Sequence, residues 1–231
     1  MDYQAIGLPV GMIDRQGCRE WRTEDGRWRV LWLGRVSYEI ALSWQEQVVE
    51  GKVANLEGED VMLLLEHDPV YTIGRSPDRS SLGVAEGGQV PVVEINRGGK
   101  ATYHGPGQLV GYPLFDLRRG GRDLHRYLRS IESGLSESVH AFGVEAGYRE
   151  GLTGVWVGDR KLASIGVGVR RWIAMHGFAL NVAEDLSGFG NITPCGISGV
   201  EMTSLSRETG QAVSVEAFAE VVARTLPRHL S

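Results

Sequence analysis

Between Gly154 and Val182 the sequence reads as one strand after another, joined by tight turns, with no helical period in between. Val155-Trp156-Val157 and Leu162-Ala163-Ser164-Ile165 are apolar runs of strand length, and the Gly158-Asp159 pair between them suits a hairpin turn. Strands joined by tight turns pair antiparallel, whereas parallel neighbours need a long crossover. This stretch therefore weighs against a doubly wound parallel fold. Upstream, Trp28 to Leu33 alternates with Trp28, Val30 and Trp32 on one face, Val61 to Leu65 is a short continuous apolar run, and Tyr71-Thr72-Ile73 and Pro91 to Ile95 read as further strands. Helical periods are fewer. Ser37 caps a segment with Ile40, Trp44 and Val48 in one stripe. Leu124, Leu128, Ile131, Leu135, Val139 and Phe142 trace a long helix, and Ser214 opens a last one that ends near Pro227. The expected class is α+β, with a mixed, largely antiparallel sheet flanked by helices.

Length and composition fit that class. The chain has 231 residues, 42% hydrophobic and 23% charged, enough to bury a core without disulfide staples. Residues 1–27 are polar and irregular and read as an extension of unknown role, leaving 28–231 as a single domain. A formal net charge of -5 argues against general nucleic-acid binding, which depends on neutralising phosphates. Asp2 and Asp14 interrupt the N-terminal stretch, which does not read as a secretory signal. No apolar run approaches the roughly 20 residues of a membrane helix. The expectation is a cytoplasmic protein that binds neither membrane nor nucleic acid. Only Cys18 and Cys195 are present, too few for a disulfide framework, and no His/Cys/Asp spacing reads as a metal site.

Three segments are candidates for chemistry. Arg97-Gly98-Gly99-Lys100-Ala101-Thr102-Tyr103-His104-Gly105-Pro106-Gly107-Gln108 is a demanding backbone sequence whose N–H groups suit a carbonyl or phosphate, yet it is neither a dinucleotide fingerprint nor a P-loop. A structural hairpin with glycine turns explains it equally well. Lys161 leads into an apolar strand; it points either to solvent, as most lysines do, or inward, where desolvation makes its amine available for proton exchange. Cys195 stands between Pro194 and Gly196 in a stiff turn that suits a presented nucleophile, although a lone cysteine is more often a small hydrophobe. His67 and His176 read as structural or hydrogen-bonding groups.

Arg97 to Gln108, Lys161 to Gly166, His176-Gly177-Phe178-Ala179-Leu180-Asn181 and Pro194-Cys195-Gly196, in that order, resemble the lipoyl(octanoyl) transferases. The resemblance runs from about residue 28 to the C-terminus. It implies the fold of the biotin and lipoate protein ligase catalytic domain. It also implies transfer of octanoyl from the phosphopantetheine arm of acyl carrier protein to a lysine of lipoyl domains in 2-oxoacid dehydrogenases or of glycine cleavage H protein. Cys195 then matches the acyl-thioester cysteine and Lys161 the lysine that tunes it. Arg97, Gly98, Gly99, Lys100, Ala101, Thr102, Tyr103 and His104, together with Ser164, Ile165, Gly166, Gly177, Phe178 and Ala179, match segments that line the acyl pocket, with Leu180 a further wall candidate. Such an enzyme is expected to work as a monomer, without cofactor or metal. Its oxyanion hole is expected to draw on the N–H of Cys195 or Gly196. Arg118, Arg119, Arg122, Arg126 and Arg129 are a candidate docking patch for an acidic carrier. The alternative is an ATP-dependent lipoate or biotin ligase of the same superfamily, which needs no cysteine.

Overall fold

The computed structural model describes residues 17–54, 58–75, 78–183, 185–197 and 199–230. In chain order the strands are β1 (Arg19–Arg22), β2 (Trp28–Arg35), β3 (Asp60–Glu66), β4 (Val70–Ile73), β5 (Val92–Glu94), β6 (Thr102–His104), β7 (Gln108–Leu114), β8 (Gly147–Arg149), β9 (Leu152–Val157), β10 (Arg160–Arg170) and β11 (Ile173–Asn181). The helices are α1 (Tyr38–Ala54), α2 (Leu124–His140), α3 (Leu205–Thr209) and α4 (Val215–His229). Eight strands form one sheet in the order β1-β2-β3-β7-β11-β10-β9-β8, and β5-β4-β6 form a second, smaller one. Among the described strands only β2 with β3 and β4 with β5 pair parallel, and an isolated parallel bridge joins Lys161 to Met202. The α+β, largely antiparallel class is as expected.

The central strands are buried on both faces, which explains their unbroken apolar runs. Trp28, Val30, Trp32, Met62 and Leu64 face α2 and α4 in one cluster. Leu31, Leu33, Val61, Leu63 and Leu65 face α1 in another. The small sheet has its own core, built on Tyr71, Ile73, Leu82, Ala101, Phe189 and Met202. Gly111 of β7 is required by this packing: a Cβ there would lie 2.1 Å from the Phe178 ring of β11.

The helices depart from expectation in detail. On α1 the buried stripe runs through Ala41, Trp44, Gln45, Val48 and Val49, so Ile40 falls on its margin and is 40% exposed. Ser214 caps α4 by accepting from the Ala217 N–H, as expected, but Pro227 lies inside the last turn and the helix runs on to His229. The Asp123 side chain caps α2 by accepting from the Arg126 N–H. The segment read as irregular contains β1, which pairs antiparallel with β2, and its Arg19 meets Glu216 of α4. Residues 1–16 of the expected extension lie outside the described residues.

Asp60, at the start of β3, ties three parts of the chain. It is fully buried, and its carboxylate takes Lys52 of α1 and Arg119 of the loop before α2, each at 2.8 Å. Asp60→Ala strands a largely buried ammonium without its anion, so unfolding free energy should drop by about 3–5 kcal/mol. Urea titration of the variant checks this; a loss under 1 kcal/mol would show the pair to be dispensable.

Candidate active site

Cys195 sits in a 3-10 turn, Pro194–Gly196, with φ +56° and ψ 14°. A left-handed backbone costs a non-glycine residue about 1–2 kcal/mol. Neighbours hold it there: the Cys195 N–H donates to the Ala101 carbonyl at 3.0 Å, and the Gly196 N–H to Thr193 at 2.9 Å. Both N–H groups are thereby committed. The expected oxyanion hole from Cys195 or Gly196 is not available.

Lys161 points inward. It is 1% exposed, and its Nζ donates to Cys195 Sγ at 3.1 Å. Its ammonium lies 5.3 Å from the centre of the Trp156 ring. Among the described residues no carboxylate comes within ion-pair distance of it, so the sulfur and the ring face are its electrostatic partners. Three local features place it. The ladder between β9 and β10 slips between Lys161 and Ala163. The Lys161 N–H donates to Glu201, and its carbonyl accepts from Thr203. Gly154, at φ +135°, leaves room for the stem: a Cβ there would lie 2.9 Å from Lys161 Cε. Ser164 brings its hydroxyl within 3.7 Å of the sulfur.

Both side chains open on a cavity of about 450 Å³. Its floor is the β10–β11 ladder, where Ser164 faces Ala179, Ile165 faces Phe178 and Gly166 faces Gly177, so two separate sequence motifs meet as cross-strand partners. Arg97, Gly98, Gly99, Lys100, Thr102 and His104 line it as expected, as do all six of those ladder residues. Ala101 and Tyr103 do not. Ala101 is buried in the small sheet's core and offers its carbonyl to Cys195. Tyr103 follows the alternation of β6 to the opposite face and packs on Tyr71 and Phe189. Leu180 belongs to the main core. Sequence reading missed Tyr38, Val110, Tyr112, Leu124, Leu128, Leu152 and Val167, which also line the wall. Their helical or strand patterns look like ordinary core, and no local signal marks them.

A buried polar chain runs beneath the cavity. The Arg97 guanidinium donates to the Thr72 hydroxyl at 3.0 Å and to carbonyls of Gly98, Thr72 and Lys100. Burial lowers its proton affinity, and charge on Tyr38 and Cys195 opposes that. The Thr72 hydroxyl lies 3.4 Å from His104 Nε2, and His104 Nδ1 is 2.8 Å from the side-chain oxygen Oε1 of Gln108. Gln108 donates to Asn181, and Asn181 to the Thr203 carbonyl, whose own N–H holds Lys161. His104 is thus tied into the scaffold as well as lining the cavity. His67 bridges the Val36 carbonyl and the Tyr112 hydroxyl, each at 2.7 Å. His176 is buried at φ +58° and lines the cavity, and among the described residues neither ring nitrogen has a hydrogen-bond partner. Burial pulls the proton affinities of His67 and His176 down to about 4, with Arg97 assisting at His176. Burial, with help from His67, pulls His104 down to about 3.

The fold and cavity define a class. The family model of the lipoyl protein ligase A/B catalytic domain matches residues 37–227. The bi-partite lipoate protein ligase of Thermoplasma acidophilum superposes with a TM-score of 0.65 at 15% identity, over 87% of this chain and 82% of that one, a likeness of fold alone. The chain is 52% identical over 196 residues to an octanoyltransferase of Geobacter sulfurreducens, covering 84% of this chain and 82% of the relative. It is 53% identical over 194 residues to that of Syntrophotalea carbinolica, covering 84% and 89%. The chain belongs to the lipoyl protein ligase A/B catalytic-domain family and, within it, groups with the octanoyltransferases. It is an acyltransferase.

The three buried histidines make a prediction about pH. They are neutral in the fold down to about pH 4 or below, whereas an unfolded histidine takes a proton near 6.5. The unfolded state therefore binds more protons below pH 6.5, and stability present above that pH is lost as pH falls. Unfolding free energy should decline between pH 6.5 and 5, above the carboxylate range. A flat profile there would mean that the imidazoles take up protons in the fold as readily as in the unfolded chain.

Proposed function

We propose that this protein moves an octanoyl group from the phosphopantetheine arm of acyl carrier protein, through a thioester on Cys195, to a lysine of a lipoyl domain in 2-oxoacid dehydrogenases or of glycine cleavage H protein. The observation that carries this reading is the 3.1 Å contact from Lys161 Nζ to Cys195 Sγ at the wall of the cavity. The octanoyltransferases it resembles supply the acyl group.

In the first half-reaction the Cys195 thiolate attacks the carbonyl of the incoming thioester. The C–S bond to the arm breaks, and the leaving thiolate takes a proton from the Lys161 ammonium. One thioester replaces another, at little net cost. In the second half-reaction the acceptor lysine attacks as a neutral amine. Lys161, now neutral, removes the proton released as the amide forms, and the C–S bond to Cys195 breaks to restore thiolate and ammonium. Amide formation from a thioester is downhill, so the cycle draws on neither ATP nor a cofactor. The Ser164 hydroxyl and the Lys161 ammonium, both beside the sulfur, serve the oxyanion in place of the committed N–H groups of Cys195 and Gly196. The tail lies against Ile165, Val167, Phe178 and Leu152, gaining about 0.8 kcal/mol for each buried methylene.

The protein acts in this reading as a cytoplasmic monomer, in a catalytic domain that takes in the main sheet from β1 onward. No described helix is long and apolar enough to cross a membrane. An ATP-dependent ligase of the same fold would leave the Lys161–Cys195 contact without a purpose.

Octanoyl transfer to an apo lipoyl domain, assayed without ATP, tests the reading. Lys161→Met removes the proton carrier and should slow transfer on the order of 10²–10⁴-fold. Lys161→Arg retains the charge but stays protonated, so it can neither give a proton to the leaving thiolate nor take one from the acceptor amine, and loading and discharge should both slow. Transfer that appears only with free octanoate and ATP would turn the reading to a ligase.

A further inference from the structure

Among the described residues five non-glycine positions have positive φ: Arg122, Arg171, Trp172, His176 and Cys195. The last two line the cavity. The other three form one surface. Arg171 and Trp172 make the two-residue turn between β10 and β11, a position where Asn-Gly would sit without strain. The Arg122 guanidinium lies 5.6 Å over the Trp172 ring, and Leu117 clamps both sides: its N–H donates to the Trp172 carbonyl and its carbonyl accepts from the Arg122 N–H. Strain of this kind persists at sites where the surroundings enforce it, and it points from the outlier to a function.

This surface continues from the wall of the cavity along two elements. Leu124 follows Arg122 by two residues and lines the cavity; Val169 follows Val167, another wall residue, by two. Leu124, Val169 and Trp172 are among the large apolar side chains left in water, at 38%, 39% and 41% exposure. The charges around them do not cancel. Arg118, Arg119 and Arg129, expected in the docking patch, are spent on Asp116, Asp60 and Glu132, and Arg170 meets Glu50. Arg122, Arg126 and Arg171 have no carboxylate within ion-pair distance among the described residues; Asp123 is nearby, but its side chain caps α2. A protein of net charge -5 thus sets two arginines, Arg122 and Arg171, without carboxylate partners among the described residues, beside an exposed tryptophan.

We propose that Arg122, Arg171 and Trp172 form the docking surface for the acyl donor: an acidic protein face that meets the arginines and rests apolar side chains on Trp172 while its acyl-bearing arm enters past Leu124. The proposal rests on the thioester reading of Cys195 and assigns the surface to the first half-reaction. Complementary charge at the rim speeds encounter and is screened by salt, while the exposed aromatic anchors the complex.

The test measures loading of the full-length protein by mass spectrometry, with two donors: octanoyl-loaded acyl carrier protein and octanoyl-pantetheine, which has the arm without the protein. Two variants are used. Arg122→Glu/Arg171→Glu reverses the charge. Arg171→Asn/Trp172→Gly keeps the turn, relieves its strain and removes the aromatic, so misfolding cannot account for its loss. Each should raise the KM for the loaded carrier about tenfold or more at low salt, with the gap narrowing as salt rises. Loading from octanoyl-pantetheine, and discharge of preformed acyl-enzyme to a lipoyl domain, should stay at wild-type rates. Unchanged carrier KM, equal loss with both donors, or slowed discharge with intact loading would each overturn the assignment. Wild-type protein that loads from neither donor would instead sink the thioester reading.

Discussion

The structure turns on one ammonium held 3.1 Å from one sulfur. A lysine buried to 1% exposure is costly unless an anion or hydrogen-bond acceptor meets it. Here the described carboxylates stay away, and the sulfur of Cys195 is the acceptor that meets it. Everything nearby serves that pairing. Gly154 leaves space for the stem, the Trp156 ring faces the ammonium, and Glu201 and Thr203 fix the backbone. The polar chain from Thr203 through Asn181, Gln108 and His104 to Thr72 and Arg97 links the lysine to the glycine-rich segment on the other side of the cavity. Half-satisfied, such a chain would be a liability; satisfied, it specifies one arrangement.

The two sheets divide the labour. The large sheet supplies a rigid floor, with Lys161 and Ser164 on β10 and their neighbours on β11. The small sheet carries the Arg97 segment and, through the Ala101 carbonyl, anchors the turn that presents Cys195. Cys195 and Lys161 therefore arrive from different layers, and the distance between them depends on how those layers pack. The strained φ of Cys195 belongs to this design, since the hydrogen bonds to Ala101 and Thr193 hold the turn in place.

Much of the fold was legible. Turn dipeptides and apolar runs gave the antiparallel succession of β9, β10 and β11, because those signals are local. The Ile40 stripe missed by one position because period alone does not say which neighbours a helix will meet. Strand β1 escaped because its four residues, Arg-Glu-Trp-Arg, show little apolar pattern and are held by pairing with β2. Composition left Lys161 and Cys195 open between bland and chemical roles; the family motifs selected them, and the geometry brings them together. Tyr103 and Ala101 show the limit of carrying motifs over whole: strand alternation sends alternate residues of one motif to opposite faces. Arg122, Arg171 and Trp172 became visible as a group only through backbone angles and tertiary contact, which no sequence spacing encodes.

The central claim is that Cys195 carries the acyl group covalently. Intact-protein mass spectrometry of wild type and Cys195→Ala, mixed with octanoyl-loaded carrier in the absence of ATP, addresses it most directly. The account predicts a gain of one octanoyl group in the wild type, mapped to Cys195, lost on adding apo lipoyl domain and never formed in the variant. An unmodified wild type that still octanoylates the lipoyl domain, or an adduct that persists in Cys195→Ala, would contradict it.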